Sequence, residues 1–213
     1  MIKAVIFDMD GVLIDSEPFI REAAVRMFGE RGLTVQHEDF LPFTGAGEER
    51  FIGGVADLYN FKLDLERDKT RTYQLYDELV QGNLQPLCGV REFIDKARNR
   101  GLKLAVASAA DRIKVEINLR EMGFTPAMFD ALVTGSDVVN KKPDPEIFLE
   151  AAKRMSMSPD YCLVCEDAVN GTVAAKAAGM RCLGITTSFT PQELQADWHA
   201  PNLGKAPDDV FEW

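Results

Sequence analysis

Short apolar runs alternate along the chain with longer segments in which apolar residues recur every three or four positions. The apolar runs have the length of β-strands and cover residues 3–9, 102–108, 131–136, 161–167 and 181–185. Strands that are apolar along nearly their whole length are typical of a parallel sheet with both faces covered. The pattern therefore predicts a parallel sheet at the centre of the fold.

The segments between these runs have the apolar spacing of amphipathic helices. They cover residues 90–100, 111–122, 145–155 and 168–178. Gly101, Gly123 and Gly179 each follow such a segment, at the position where a left-handed residue commonly ends a helix. Because strands and helices alternate, we predict an α/β fold with a doubly wound parallel sheet.

One connection is far longer than the others. The first and second predicted strands are separated by the 91 residues from Gly11 to Gly101, whereas a connection between a strand and a helix usually takes about 2 to 6 residues. Three segments inside it have helical spacing, at residues 17–31, 47–59 and 65–81. We therefore predict a core domain formed by residues 1–15 and 85–213 and a helical cap domain formed by residues 16–84. A merely decorative helical insertion is the alternative.

The composition suits a protein that buries a core, since 46% of the 213 residues are hydrophobic. No run of 18 apolar residues occurs, so the sequence has no candidate membrane span. The formal net charge of −10 disfavours binding to nucleic acid, although a locally positive pocket could hold a small anion. The first residues lead straight into an apolar run, without the features of a secretory signal. We therefore expect a cytoplasmic protein that binds neither nucleic acid nor membranes.

Two of the four cysteines, Cys162 and Cys165, have the C-x-x-C spacing of redox and zinc motifs. They lie in the apolar run "YCLVCED", where side chains three positions apart point to opposite faces of a strand. The two histidines, His37 and His199, lie far from them in sequence. We therefore expect buried thiols rather than a redox or zinc site.

Acidic residues follow the first apolar run directly. Asp8 closes the strand, Asp10 lies two positions further on, and Gly11 permits a tight turn. Parallel α/β sheets bind ligands beyond the carboxyl ends of their strands, and side chains two apart in an extended chain project to the same side. Both carboxylates can therefore address one bound group, although a structural Asp-Gly turn would also explain the motif.

Further polar residues follow other predicted strands. Ser108 closes the second strand, and its hydroxyl and the following backbone N–H groups can bind phosphate oxygens. Glu166 and Asp167 close the fourth strand, and Lys141 and Lys142 precede a helical segment. Each residue alone could be a helix cap or a solvated charge. Together they predict a site with acids, a hydroxyl and a cation at one edge of the sheet.

Four stretches of the chain carry a resemblance to a known family. In order, they are "FDMDGVLIDSE", "VASAAD", "KKPDPEIF" and "CEDAVNGTVAAKAAGM". They resemble the four ordered motifs of the haloacid dehalogenase superfamily, in the β-phosphoglucomutase-like subgroup with a helical cap (subfamily IA). The resemblance extends over nearly the whole chain. It implies a Rossmann-like core and a Mg²⁺-dependent phosphohydrolase.

The resemblance implies a role for each acidic residue. Asp8 would attack phosphorus and form an aspartyl-phosphate, which divides a difficult hydrolysis into two easier steps. Mg²⁺ would be held by the carboxylates of Asp8 and Asp167 and by the backbone carbonyl of Asp10, with Glu166 in support. Asp10 would also protonate the leaving alcohol and then deprotonate the attacking water. Asp15 would lie at the hinge into the cap.

The remaining motif residues would bind the phosphate. By resemblance, Lys142 supplies a positive charge to the phosphate and the nucleophile, and Ser108 and the N–H of Ala109 bind phosphoryl oxygens. Lys141 is the weaker candidate because the motif lysine directly precedes a proline. The expected partner is a small phosphorylated metabolite such as a sugar phosphate, chosen by cap residues 43–51. We also expect a monomer, with Trp213 packed on the core.

The type of reaction can be narrowed within the superfamily. Its dehalogenases and phosphonate hydrolases depart from this pattern at the second aspartate, so an intact pair favours phosphoryl transfer. Its phosphomutases have a histidine where this chain has Phe19 and Ile20, and an arginine about where it has Glu48, with Arg50 two positions away. Without a clamp for a second phosphate, net hydrolysis is favoured, and a β-phosphoglucomutase-type phosphomutase is the alternative.

Two readings without catalysis stay open. A phospho-acceptor or binding module, like a response-regulator receiver, also clusters aspartates, a hydroxyl residue and a lysine at one sheet edge. The long connection and the tandem Glu166 and Asp167 argue against it. A catalytically silent family member is the other reading, although every expected core residue is present.

Overall fold

The computed structural model describes residues 1–43 and 47–212, without the side chain of Glu48. Its strands are β1 (Ala4–Phe7), β2 (Lys103–Ala107), β3 (Ala131–Val133), β4 (Cys162–Glu166), β5 (Arg181–Ile185) and β6 (Trp198–Ala200). They form a parallel sheet in the order β3-β2-β1-β4-β5-β6. The five predicted strands are confirmed. The edge strand β6 is too short and too polar to stand out in the sequence.

Seven helices accompany the sheet over the described residues. They are α1 (Glu17–Glu30), α2 (Glu48–Leu58), α3 (Leu65–Val80), α4 (Val90–Asn99), α5 (Arg112–Glu121), α6 (Glu146–Arg154) and α7 (Val169–Ala177). Each end lies within one residue of the predicted bound. Gly101, Gly123 and Gly179 follow α4, α5 and α7 with φ values of +73°, +71° and +74°, as expected of left-handed helix ends.

Helices cover both faces of the sheet. Val5 and Phe7 of β1 belong to the apolar cluster that contains the buried residues of α4 and α5. Ala4 and Ile6 point the other way, into the cluster that contains those of α6 and α7. Alternate residues of one strand thus pack into the two apolar layers on opposite faces of the sheet. This arrangement confirms the predicted doubly wound α/β fold.

The sheet register brings three strand ends to one edge. Phe7, the last residue of β1, lies opposite Val106 of β2 on one side and Cys165 of β4 on the other. Because the three strands are parallel, the residues that follow them emerge side by side. This edge is therefore the place where the loops that begin at Asp8 and Ser108 and the end of β4 meet.

The long connection between β1 and α4 is helical. Residues 16–84 contain α1, a 3₁₀ helix (His37–Phe43), α2 and α3. A largely buried ion pair between Arg31 and Asp68 joins α1 to α3. On the core side, the hydroxyl of Tyr76 in α3 donates to Oδ1 of Asn118 in α5. The first contact stabilises the insertion itself, and the second attaches it to the core. The division into domains at residues 15 and 85 stays a prediction.

The structure also tests two other expectations from the sequence, on membrane-spanning helices and on the cysteines of β4. Among residues 1–43 and 47–212, no helix is both long enough and apolar enough to cross a membrane. Cys162 and Cys165 are buried thiols, and they belong to the apolar clusters on opposite faces of the sheet. The prediction of buried thiols in β4 is confirmed.

Candidate active site

A tight loop after β1 carries Asp8 and Asp10. The N–H of Asp8 donates to the carbonyl of Cys165 on β4 (3.0 Å), so Asp8 continues the line of the sheet. Gly11 then turns the chain with a φ of +77°, and its N–H donates to the carbonyl of Ile14 (2.8 Å). Because other residues rarely adopt this φ, the turn favours glycine. The loop brings both aspartates to the lining of one cavity.

Lys142 lies between two of the carboxylates. Its Nζ is 2.5 Å from Oδ1 of Asp8 and 2.6 Å from Oε1 of Glu166. It also lies 4.9 Å from the ring centroid of Phe148 in α6. Burial alone would lower the pKa of this ammonium, but the two carboxylates raise the pKa above its usual range. Lys142 therefore stays charged and balances part of the negative charge around it.

Asp8, Glu166 and Asp167 form a cluster whose ligand atoms lie within 4.8 Å of one another. Burial raises the pKa of Asp8 well above its usual range; Lys142 opposes this shift, while Glu166 and Asp167 add to it. Burial, together with the charge of Glu166, raises the pKa of Asp167 to about 7. The ionised cluster thus lacks compensating positive charge. Oxygen donors in this arrangement could hold a hard divalent cation.

Glu166 is fixed by the first turn of α7. Its Oε2 accepts a hydrogen bond from the N–H of Ala168 (2.7 Å). Its carboxylate also lies against Gly171, where an added Cβ would be 1.8 Å from Oε1. Glycine inside a helix costs about 1 kcal/mol relative to alanine. Close packing on Glu166 explains why a glycine stands at this helical position.

The loop after β2 brings Ser108 and Ala109 to the same cavity. The N–H of Ser108 donates to the carbonyl of Val133 on β3 (3.0 Å), and the N–H of Ala110 donates to Oγ of Ser108 (3.2 Å). Gly135 makes room for this loop, since an added Cβ there would be 2.1 Å from the carbonyl oxygen of Ala109. The Ser108 hydroxyl and the adjacent backbone can therefore donate to an oxyanion.

The site residues come from segments that a single family model covers. The model for haloacid dehalogenase-like hydrolases matches residues 2–179 of the chain. The chain belongs to this family. The match spans the loops that carry Asp8, Ser108 and Lys142 as well as the pair Glu166 and Asp167, and it confirms the family that the sequence motifs indicate.

Individual haloacid dehalogenase relatives extend the comparison. The chain is 44% identical over 200 residues to the chloroplastic protein SUPPRESSOR OF QUENCHING 1 of Arabidopsis thaliana; the alignment covers 91% of this chain and 19% of the plant protein, so the chain spans about a fifth of that protein's length. It is 33% identical over 210 residues to the phosphorylated carbohydrates phosphatase of Thermotoga maritima, covering 98% of this chain and 96% of the phosphatase. The crystal structure of CbbY from Rhodobacter sphaeroides in complex with phosphate has a TM-score of 0.85 and 26% identity, with 96% of each chain covered.

In this haloacid dehalogenase-like hydrolase the carboxylates of the site line a cavity of about 700 Å³. The sheet edge supplies a polar floor. The helical insertion supplies apolar side chains to the lining, namely Ile20, Leu41, Phe43 and Phe51. Asp15 and Glu17 line the cavity where the insertion begins. The cavity therefore combines a charged floor with a wall that a carbon skeleton can contact.

Two predictions fall on residues that the structure does not describe. Residues 44–46, which belong to the predicted specificity segment 43–51, lie outside the described part of the chain. Trp213, which the sequence predicts to pack on the core, lies outside it as well. Phe43 and Phe51, at the two ends of the specificity segment, both line the cavity.

The two adjacent lysines of the third haloacid dehalogenase motif diverge. Lys142 reaches the carboxylates of Asp8 and Glu166. The ammonium of Lys141 instead donates to the backbone carbonyl of Gly135. The lysine that directly precedes the proline is thus the one that lies beside the carboxylates.

Sequence reasoning misses four residues of the site. Lys114 of α5 lies 2.9 Å from Oδ2 of Asp10, and Oγ of Ser16 donates to Oδ1 of the same carboxylate. After β5, the hydroxyl of Ser188 donates to Oδ2 of Asp167, and the hydroxyl of Thr187 lies 3.3 Å from the same oxygen. Lys114 shares the buried face of α5 with Val115, Ile117, Asn118 and Leu119, and its position among these residues is a signal that could have identified it. The contacts of the two residues after β5 depend on the strand order and have no local signal.

Proposed function

We propose that this chain hydrolyses phosphate monoesters of small metabolites, with sugar monophosphates as the expected substrates. The observation that carries the proposal is the carboxylate cluster of Asp8, Glu166 and Asp167, which lies beside Lys142 in the lining of one cavity. A cavity of about 700 Å³ suits a small ligand. Similarity to the phosphorylated carbohydrates phosphatase of Thermotoga maritima supports the substrate class.

Asp8 acts as the nucleophile. One of its carboxylate oxygens forms a bond to phosphorus while the bond from phosphorus to the ester oxygen breaks, which yields an aspartyl-phosphate. The attack of one anion on another requires positive charge nearby, and the ammonium of Lys142 lies 2.5 Å from Asp8. The Ser108 hydroxyl and the N–H of Ala109 donate hydrogen bonds to the phosphoryl oxygens.

Asp10 moves the protons. In the first step its carboxyl gives a proton to the ester oxygen as the alcohol leaves. In the second step it takes a proton from the water molecule whose oxygen bonds to phosphorus. The bond between phosphorus and Asp8 then breaks, inorganic phosphate leaves, and Asp10 is protonated again for the next cycle.

The donor set fits Mg²⁺. The carboxylates of Asp8 and Asp167 and the backbone carbonyl of Asp10 would hold it, with Glu166 in support. Burial raises the pKa of both Asp8 and Asp167, which is the behaviour expected of a carboxylate cluster with too little positive charge. Mg²⁺ prefers oxygen ligands and keeps several waters. When bound, it would neutralise negative charge on the phosphate and the nucleophile.

Residues 16–84 act as a cap over the core formed by residues 1–15 and 85–213. Phe43 and Phe51 of this segment lie in the lining of the same cavity as the charged floor. A cap of this kind keeps bulk water away from the reacting phosphate and contacts the leaving group. The apolar lining suits the carbon face of a sugar or polyol.

Phosphomutase activity is the alternative, and it requires a grip on a second phosphate. Among the described residues that line the cavity, the cations are Lys114 and Lys142, and each is paired with an aspartate of the loop after β1. The Arg50 guanidinium lies over the ring of Phe43 (5.2 Å to the centroid) and near Asp57 (3.7 Å). These pairings favour hydrolysis over phosphate transfer within a sugar bisphosphate.

The test is release of inorganic phosphate from a panel of monoesters, with and without Mg²⁺. We expect Mg²⁺-dependent release by the wild type and none by Asp8→Asn, which removes the nucleophile and keeps the side-chain shape. Asp160→Asn is the matched control, because Asp160 is exposed and precedes β4 at the opposite edge of the sheet. This control should keep wild-type activity.

The panel includes β-glucose 1-phosphate, for which glucose 6-phosphate is measured separately. Formation of glucose 6-phosphate without net phosphate release would favour the phosphomutase alternative. Phosphate release that survives in Asp8→Asn would contradict the role of Asp8. A wild type that turns over no ester of the panel would count against the proposed function.

A further inference from the structure

Each aspartate of the loop after β1 is paired with a lysine, Asp10 with the buried Lys114 and Asp8 with the partly buried Lys142. Lys142 lies 2.5 Å from Asp8, and Lys114 lies 2.9 Å from Oδ2 of Asp10. Lys114 is only 2% exposed, although it lines the active-site cavity. Lysine is almost never buried this deeply unless it is paired. Lys114 is therefore not an ordinary surface charge, and its pairing with Asp10 indicates a specific role.

Asp10 is held from two sides. Its Oδ1 accepts a hydrogen bond from the hydroxyl of Ser16, which directly precedes α1 of the insertion. Its Oδ2 accepts one from Lys114, which α5 carries from the core. Helix α5 is itself anchored, because Tyr76 donates to Asn118 one turn beyond Lys114. The orientation of the Asp10 carboxylate is thus fixed by groups on two separate elements.

We propose that Lys114 is a positioning residue that aims the Asp10 carboxyl at the leaving-group oxygen. The inference rests on the proposed phosphohydrolase function, in which a proton passes from Asp10 to the ester oxygen as the bond between that oxygen and phosphorus breaks. Proton transfer requires hydrogen-bond distance and alignment. A carboxyl that rotated freely would meet this requirement less often. Lys114 also pairs with the carboxylate that remains once the proton has left.

The test compares two aryl phosphates of nearly equal size. The 4-nitrophenolate group leaves without a proton, whereas phenol has a pKa of about 10 and its departure depends on one. In Lys114→Met, which keeps an unbranched side chain without the charge, we expect kcat/KM for phenyl phosphate to fall about 100-fold. We compare kcat/KM because it reports the formation of the aspartyl-phosphate, in which Asp10 acts as the acid, and not the later hydrolysis, which is the same for both esters. For p-nitrophenyl phosphate we expect kcat/KM to fall no more than about threefold, because the departure of 4-nitrophenolate uses little acid catalysis. Lys114→Arg should restore most of the activity on phenyl phosphate.

A double-mutant cycle tests whether Lys114 acts through Asp10. In an Asp10→Asn background, Lys114→Met should cause no further loss on phenyl phosphate. A loss of kcat/KM of the same size on both esters would overturn the inference, since a general structural defect affects both alike. Lys114→Gln replaces Lys114→Met if thermal unfolding indicates that the methionine variant does not fold.

Crystal structures provide a test that needs no turnover. We expect the Asp10 side chain of Lys114→Met to rotate away from its wild-type position. An Asp10 that keeps that position would overturn the inference. If the wild type hydrolysed neither ester, the proposed function would be in error, while the two structures would still decide whether Lys114 holds Asp10.

Discussion

A methyl group on Cα of Gly11 would lie 1.9 Å from Oδ2 of Asp167. The turn after β1 is therefore in direct contact with the carboxylate that follows β4. Thr187 reinforces this contact, because its hydroxyl donates to the carbonyl of Gly11 (2.7 Å) and lies 3.3 Å from the same oxygen of Asp167. The position of Asp167, a proposed metal ligand, depends on the absence of a side chain at Gly11.

Gly11→Ala should therefore weaken Mg²⁺ binding as well as the fold. Gly32→Ala is the matched control: Gly32 has nearly the same φ (+78°, against +77° for Gly11), but its added Cβ meets nothing within 4 Å. Both variants should lose about 1 to 3 kcal/mol of stability from the left-handed backbone. Gly11→Ala alone should raise the Mg²⁺ concentration needed for half-maximal phosphate release, by about 10- to 100-fold. Equal Mg²⁺ requirements in both variants would contradict this account.

Ser188 should influence Mg²⁺ binding without touching the metal. Its hydroxyl donates to Oδ2 of Asp167, and partners of this kind orient metal ligands. We expect Ser188→Ala to lower Mg²⁺ affinity about tenfold, measured by titration calorimetry. Thr190→Val is the control from the same loop, because it removes a hydrogen bond to Glu193 (2.7 Å) and leaves Asp167 alone. Unchanged affinity in Ser188→Ala, or an equal loss in the control, would argue against the role of Ser188.

The fold could be predicted closely because its signals are local. Each strand of the sheet interior is a continuous apolar run, and glycines such as Gly101 and Gly179 mark helix ends with their own backbone conformation. The edge strand β6 could not be predicted, because a strand of three residues, two of them only partly buried, has no periodic pattern in the sequence. The boundary between core and insertion leaves no such mark in the sequence.

The candidate site could be predicted where its residues belong to contiguous motifs. Asp8, Ser108, Lys142 and the pair at the end of β4 each follow or precede a strand or helix with a clear pattern. Lys114 lies inside a helix. Ser188 follows β5, and β5 lies beside β4 only because of the strand order of the sheet. Such residues reach the site through tertiary contacts, which apolar periodicity does not encode. Their identification required the register of the sheet and the packing of α5.

Asp137 should make stability depend on acid pH. Burial opposes ionisation of this carboxylate, but hydrogen bonds from Thr134 and the charge of Arg154 lower its pKa to about 2. Because this pKa lies below its usual value of 3.8, the stabilisation is complete above that value and is lost as the pH falls towards about 2.

We therefore expect Asp137→Asn to lower the free energy of unfolding by about 2 kcal/mol at pH 7 and by progressively less in acid. Urea unfolding of both proteins between pH 7 and pH 3 measures the difference. Asp57→Asn, at a side chain that is 80% exposed, should change stability little at any pH. A difference between Asp137→Asn and the wild type that stayed constant down to pH 3 would contradict the account.

The four cysteines should differ sharply in reactivity. Cys88 is exposed, whereas Cys162, Cys165 and Cys182 are buried. Burial raises the pKa of Cys162 to about 11 and raises those of the two others as well. Since the thiolate is the reactive form, we expect one fast thiol per native chain with a disulfide reagent such as DTNB, and four after unfolding. Cys88→Ser should abolish the fast reaction. Two outcomes would contradict this expectation: two fast thiols in the wild type, or the loss of two thiols when native Cys88→Ser is mildly oxidised. Either result would support the redox interpretation of the C-x-x-C spacing. It would also mean that Cys162 and Cys165 leave the opposite faces of β4 in order to react.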